Sequence, residues 1–329
     1  MEVLYIQNFY KNKYHNLMAN FQNGINITGS TSFMNLSATT ENTSSVGKLW
    51  FDHNGQNFKY SGNVTAFSSG GTLITGRRLF ASAGTQNAGL AIGGSSSTKC
   101  TEEYDGSSWS SGGSLINNHR CNQGQGTQNA AFSGQCDCCT EEYNGSSWSA
   151  GGTLNNNHDN GAGVGTQNAG LSMGGYAMFS NIACTEEYNG TSWSNGGNLS
   201  TPRGCMGGAG TQNAALAAGG YYFGALNCNE EYNGTSWATG GDLISARRCG
   251  GALGTQNSAM VASGDDNDGN TTSTEVYDGT SWSVGNNLIH RGGCNSGTGE
   301  SSLSGLVMGG NPSSTVTQEL TQALGIKEF

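Results

Sequence analysis

From residue 80 to residue 310 the apolar residues come in short bursts separated by Gly, Ser, Thr and Asn. AAFSG (130–134) and AALAAGG (214–220) each follow a GTQN tetrapeptide, and read as a strand after a turn. TEEY then reads as a third strand, NG as a two-residue hairpin signal, and SSWSA as a fourth strand. HRCNQGQ (119–125), rich in small residues, reads as the strand before GTQN. No helix-period stripe fits between the Gly turns, so the chain is expected to be all-β.

The pattern recurs. An aromatic residue ends each unit: Phe67, Trp109, Trp148, Trp193, Trp237 and Trp282. A tyrosine precedes it in five units: Tyr104, Tyr143, Tyr188, Tyr232 and the tyrosine of TEVYDGTSW, read at position 278. GTQN starts at Gly84, Gly126, Gly165, Gly210 and Gly254, with a degraded copy near Gly299. Leu73, Leu115, Leu154, Leu199, Leu243 and Leu288 keep the same step. Four antiparallel strands every ~40–50 residues is the spacing of propeller blades. Tyr and Trp are expected to pack between neighbouring blades. Five units are complete. The C-terminal segments 291–298, 304–310 and 314–320 lack a closing Trp, and 63–71 supplies Phe67 in its place. One blade is therefore expected to be shared by both termini, giving six blades in a closed ring without free sheet edges. KLWFDHNGQNFKY (48–60) reads as an extra hairpin that would raise the count to seven. Residues 1–46 lack the repeat and read as an arm, leaving 47–329 as the propeller.

Gly93-Gly94, Gly174-Gly175, Gly219-Gly220 and Gly309-Gly310 end second strands, and a Tyr and a Trp follow. This order is similar to the kelch repeat. The wording GTQNAALAAGG…EEYNGTSW resembles the kelch-type repeats of virion and tail-fibre proteins of tailed phages, especially those of marine and freshwater bacteria. The resemblance covers 67–310. The second unit departs with SGQ (133–135) and the fifth with SGD (263–265), which alters loop geometry there. The resemblance implies a six-bladed kelch-like β-propeller. It also implies a non-enzymatic structural protein of the phage virion, associated with the tail or a tail fibre, that recognises a host surface or a protein. A purely structural decoration or tail component and a propeller glycoside hydrolase are the alternatives.

Composition narrows the function classes. The chain has 329 residues, 55 Gly, 2 Pro, 11% charged residues and a net charge of −10. No Lys/Arg stripe is present, so no nucleic-acid partner is expected. No run of 18 apolar residues occurs, so no membrane span is expected. The start lacks the basic-then-apolar layout of a signal peptide. The apolar anchors of 1–46 (Leu4, Tyr5, Ile6, Phe9, Tyr10, Tyr14, Phe21) have no blade to complete. They point to attachment to another virion protein or to a further copy of the chain, with multiple copies per particle.

The chemistry-bearing residues repeat with the architecture. Glu102-Glu103, Glu141-Glu142, Glu186-Glu187 and Glu230-Glu231 are adjacent in strands, so each pair points to opposite faces. They are expected to neutralise the strand-one arginines Arg78, Arg120, Arg203 and Arg248, with no catalytic pair. Ten cysteines occur. Cys100/Cys121, Cys184/Cys205 and Cys228/Cys249 share an offset of 21 residues. They are either small packing residues or inter-blade disulfides suited to a particle that leaves the reducing cell. CDCC (136–139) lacks a second pair at zinc spacing. His119, His158 and His290 start strand one in three units, either as separate surface residues or around the channel. DDNDGN (265–270) resembles half of a calcium loop, with Gly264 where a further Asp is expected. No catalytic set, cofactor or metal is expected.

The connections differ. GTQN and NG lie on one face and hardly vary. The two-to-three loops on the other face vary in length and composition, and variable loops on a rigid scaffold carry recognition. Their aromatics cluster in blades three and four: Tyr176 and Phe179 with Asn181, then Tyr221, Tyr222 and Phe223 with Asn227. This set is the candidate ligand-binding site, suited to a host-surface glycan.

Overall fold

The repeated burst and turn fold, five times over, into four antiparallel strands taken in chain order. The computed structural model describes residues 49–52, 57–95, 99–119, 123–134, 138–266 and 269–328. Blade one is Ala81–Thr85, Ala88–Ile92, Thr101–Tyr104 and Trp109–Ser111. Blade two begins at Gln123–Thr127, blade three at Ala162–Thr166, blade four at Gly207–Thr211 and blade five at Gly251–Thr255. First strands touch in cyclic order from blade one to blade six and back, so the six sheets close a β-propeller around a central channel.

Blade six joins the two ends of the chain, as expected. Ser296–Ser301, Ser304–Met308 and Thr317–Glu328 are followed in the sheet by Asn57–Ser69. Beyond the strand, Gly70 N–H donates to Thr317 and Leu73 N–H to Thr315. Of the expected 48–60 hairpin, the described residues Leu49–Asp52 and Asn57–Tyr60 pair antiparallel, with Leu49 opposite Tyr60. This pair starts no seventh blade. The ring's compact unit is 65–321, and the described residues 49–52, 57–64 and 322–328 belong to a second unit. The strands Asn57–Ser69 and Thr317–Glu328, of 13 and 12 residues, continue past the ring's limits. The arm 1–46 lies outside the described residues.

Packing explains the nine-residue motif. The buried core consists of six clusters, each built from two neighbouring blades. Second strands are buried along nearly their whole length, because both faces meet another blade. Tyr and Trp of one hairpin lie with ring centroids 4.8–4.9 Å apart. The fifth tyrosine is Tyr277, one residue before the expected position 278. Tyr277 is the residue that pairs with Trp282 across the hairpin, whereas Asp278 enters the turn and accepts the N–H groups of Thr280 and Ser281. Tyr and Trp both reach back to the preceding blade. The indole N–H groups of Trp109, Trp148, Trp193 and Trp237 donate to Thr317, Thr101, Thr140 and Thr185 at 2.9–3.5 Å. The phenols of Tyr104, Tyr143, Tyr188, Tyr232 and Tyr277 donate to Glu319, Glu103, Glu142, Glu187 and Glu231. Burial and then this hydrogen bond push the Tyr104, Tyr143, Tyr232 and Tyr277 phenols up to about 12. At the interface of blades five and six the pair changes as a unit: Val276 replaces the glutamate and Leu320 the tyrosine, and the two sides stay apolar.

The turns differ from their sequence reading. GTQN closes a two-residue loop, with Thr85 paired to Ala88. Gly84 has φ +97°, but Asn87 does not enter the left-handed region. A Cβ at Gly84 would lie 2.0 Å from the Ala88 carbonyl, so the glycine is needed inside the strand. The Gln is an inter-blade tie: Gln128 donates to Gly89 and Tyr104 carbonyls of blade one, and Gln167, Gln212 and Gln256 repeat this. The NG hairpin is not a two-residue turn. Tyr104 pairs with Trp109 across a four-residue loop, in which Asp105 Oδ1 accepts the N–H groups of Ser107 and Ser108. Asn and Asp serve here as side-chain caps of the turn.

Candidate functional site

The variable-loop face is assembled by the second glycine of each pair. Gly94, Gly175 and Gly220 N–H donate to the carbonyls of His119, Arg203 and Arg247 in the next blade. Each two-to-three loop therefore leans on its neighbour. In blade five Ser263 takes the first glycine's place with φ +65°, and its hydroxyl bonds the Thr271 and Gly292 carbonyls. The SGD departure thus keeps the backbone path. In blade two, Gln135 lies outside the described residues.

The aromatic loops stand out from this base. Tyr176 and Ala177 pair with Asn181 and Ser180 in a small hairpin, leaving Met178 and Phe179 at the tip, 94% and 93% exposed. In blade four, Tyr221 and Tyr222 are partly exposed and Phe223 is 88% exposed. Tyr222 and Phe223 meet edge-on with centroids 4.6 Å apart. Asn181 is half-buried near Gly204, while Asn227 is exposed. One face of Tyr221 is covered by Arg248, whose guanidinium lies 4.7 Å from the ring centroid and is held by Asp265 at 2.8 Å. Phe179, Tyr222 and Phe223 are thus the open aromatics, Tyr222 and Phe223 in contact with each other, while Tyr221 is covered on one face. Met178, Phe179 and Phe223 have φ of +46°, +71° and +56°, a conformation that costs a bulky residue roughly 1–2 kcal/mol.

The glutamates of TEEY serve the ring. Glu102, Glu141, Glu186, Glu230 and Glu275 are buried and pair with Arg77, His119, His158, Arg203 and Arg247. The same carboxylates accept backbone N–H groups of the connection entering their own blade, Ile116 and Asn117 for Glu141. Burial works against the Glu186 charge, yet bonds from His158, Asn155 and Asn156 hold its carboxyl at about 2. The expected partners Arg78 and Arg248 are displaced by one residue. Arg78 bonds Asn311 and Arg248 bonds Asp265, because alternate residues of the extended lead-in point opposite ways. Arg203 pairs as expected, and Arg120 lies outside the described residues. His119 and His158 are buried in these pairs, whereas His290 is exposed, so the three histidines do not meet. In blade six cation and acid are both absent: Gly292 and Gln318 occupy their places, and Gln318 bonds the His290 backbone. The calcium-loop residue Asp265 is engaged by Arg248.

The cysteines are placed differently from the offset-of-21 pairing. Cys100, Cys184, Cys205, Cys228 and Cys249 are free thiols, and Cys121 lies outside the described residues. Cys184 and Cys228 lead into third strands, where their carbonyls accept Gly174 and Gly219 N–H. Cys205 instead meets Cys249, one blade on, and Cys249 meets Cys294. The signal for this was present in the sequence: the three cysteines occupy the same position of consecutive units. Comparison with protein-family models and with curated proteins finds no match.

Proposed function

We propose that the chain is a non-enzymatic recognition component of a phage particle, carried on the tail or a tail fibre, whose variable-loop face binds a glycan of the host surface. The observation that carries this reading is the set of exposed aromatics on the loops of adjacent blades three and four. Phe179 and Phe223 hold left-handed backbone at exposed tips, where glycine would be the cheaper residue. Such strain persists where a side chain is wanted for its own sake. An aromatic ring stacks on the apolar face of a sugar, and Asn227 is at hand for its hydroxyls. The kelch-like dialect of the repeat and the arm 1–46 support placement in a virion, with the arm as the attachment to a neighbouring virion protein or a second copy. Each stacking contact contributes on the order of 1 kcal/mol. Single-chain binding is therefore weak, and several copies per particle supply avidity.

The test is a host-glycan array probed with a multimerised form of the chain. Phe179→Gly with Phe223→Gly is expected to lower single-site affinity roughly thirtyfold and to leave folding intact or improved. Unchanged binding by the double variant would remove the aromatic site. Release of reducing ends from the polysaccharide would replace this reading with a glycoside hydrolase.

A further inference from the structure

The residue just before the first strand stands at the mouth of the channel on the variable-loop side in blades one, three, four, five and six. These are Leu79, Asn160, Cys205, Cys249 and Cys294, with φ between +51° and +57°. Each adopts the same left-handed conformation and leans on its neighbour through the backbone. Cys205 N–H donates to Asn160, Cys249 N–H to Cys205 at 2.7 Å, Cys294 N–H to Cys249 at 2.8 Å, and Leu79 N–H to Cys294. The three cysteines are therefore copies of one another, turned from blade to blade about the channel axis. A backbone hydrogen bond between neighbours holds their Cα atoms about 5–6 Å apart, the span of a disulfide. They line a channel of about 130 Å³. Among the described residues no three His, Cys, Asp or Glu side chains gather as metal ligands. The thiols follow an arc, which suits pairing in twos.

We propose that Cys205, Cys249 and Cys294 form a thiol–disulfide exchange site at the mouth of the channel, in which Cys249 closes a disulfide with one flanking cysteine at a time. The oxidant is a small disulfide such as oxidised glutathione. The thiolate of Cys205 or Cys294 attacks one of its sulfurs, and the first small thiol leaves with the electron pair and a proton. Cys249 loses its proton and attacks the protein sulfur of the mixed disulfide, and the second small thiol leaves. Two protein S–H groups become one S–S bond, and the small disulfide is reduced to two thiols. The roles follow from the surroundings. The Cys249 S–H, donated to one flanking thiol at a time, lowers that thiol, aided by Arg248 and, at Cys294, by Arg78, against burial and against Asp159 at Cys205 and Asp265 at Cys294. Cys249 is pushed up by its bonds to Cys205 and Cys294 and by burial, which makes it the resolving thiol. Each product staples two neighbouring blades at the axis and leaves the third thiol free to exchange.

Trypsin separates the three cysteines into peptides 204–247, 249–291 and 292–327. The reduced full chain is treated with oxidised glutathione, quenched in acid, alkylated and mapped by mass spectrometry. The expected result is 249–291 joined to 204–247 or to 292–327. Cys249→Asn, a residue that the ring already holds at Asn160, removes both links and leaves glutathione on Cys205 or Cys294. Peptide 204–247 also contains Cys228, so its link must survive Cys228→Ser and vanish in Cys205→Ser. The proposal is overturned if 249–291 stays unlinked, or if its link depends on Cys228.

Discussion

Asn229 shows how tightly single positions are tuned. In the first three blades and in blade six the residue opening the third strand is a threonine whose hydroxyl accepts an indole N–H. In blade four it is Asn229, and neither its amide nor the indole N–H of Trp282 finds a partner among the described residues. A buried polar group without a partner costs about 1–3 kcal/mol. Asn229→Thr should restore the pattern and stabilise the ring by about 1 kcal/mol, read as a higher urea midpoint at unchanged slope. A lower midpoint would refute the reading. At this scale much was legible: the Trp and Tyr residues of the repeat pack between blades as their spacing implied, with the fifth tyrosine at 277 rather than 278. The choice between Arg77 and Arg78 was not legible, because the lead-in segment lies outside any strand and its parity leaves no trace in the pattern. The thiol arc was missed for a related reason. An offset counted along the chain was taken as proximity, whereas blades meet through equal positions of successive units.

At the scale of one blade, the buried cation and acid form a unit. Blade six dispenses with both, Gly292 and Gln318 standing where the other five keep a charged or ionisable pair. A lone buried charge is worse than none. Arg203→Met alone should therefore cost about 3–5 kcal/mol, while Arg203→Met with Glu230→Gln should cost clearly less than that single change. Urea unfolding of the single and double variants decides the matter. Additive costs would show that Arg203 and Glu230 act independently. The strands were legible because burst and turn alternate so regularly. The turn chemistry was not: NG suggests a two-residue hairpin, but the Ser/Thr residues after it let Asp or Asn cap a four-residue loop.

Over the whole ring, closure by both termini was readable from one displaced aromatic, Phe67, and three strands without a Trp. The placement of Tyr176, Phe179, Tyr221, Tyr222 and Phe223 on two-to-three loops was readable, since those loops vary in both length and composition among the internal copies. The site's internal order was not, because the Arg248 cover on Tyr221 arises between blades. The central claim is that architecture occupies the repeated residues and recognition occupies the variable face. Adsorption of intact particles to host cells tests it most directly. Tyr222→Ala with Phe223→Ala is compared with Leu303→Ser, which removes an exposed apolar residue from the GTQN side. The account predicts that adsorption falls steeply in the first variant and holds in the second. Unchanged adsorption in the first, with loss in the second, would contradict it.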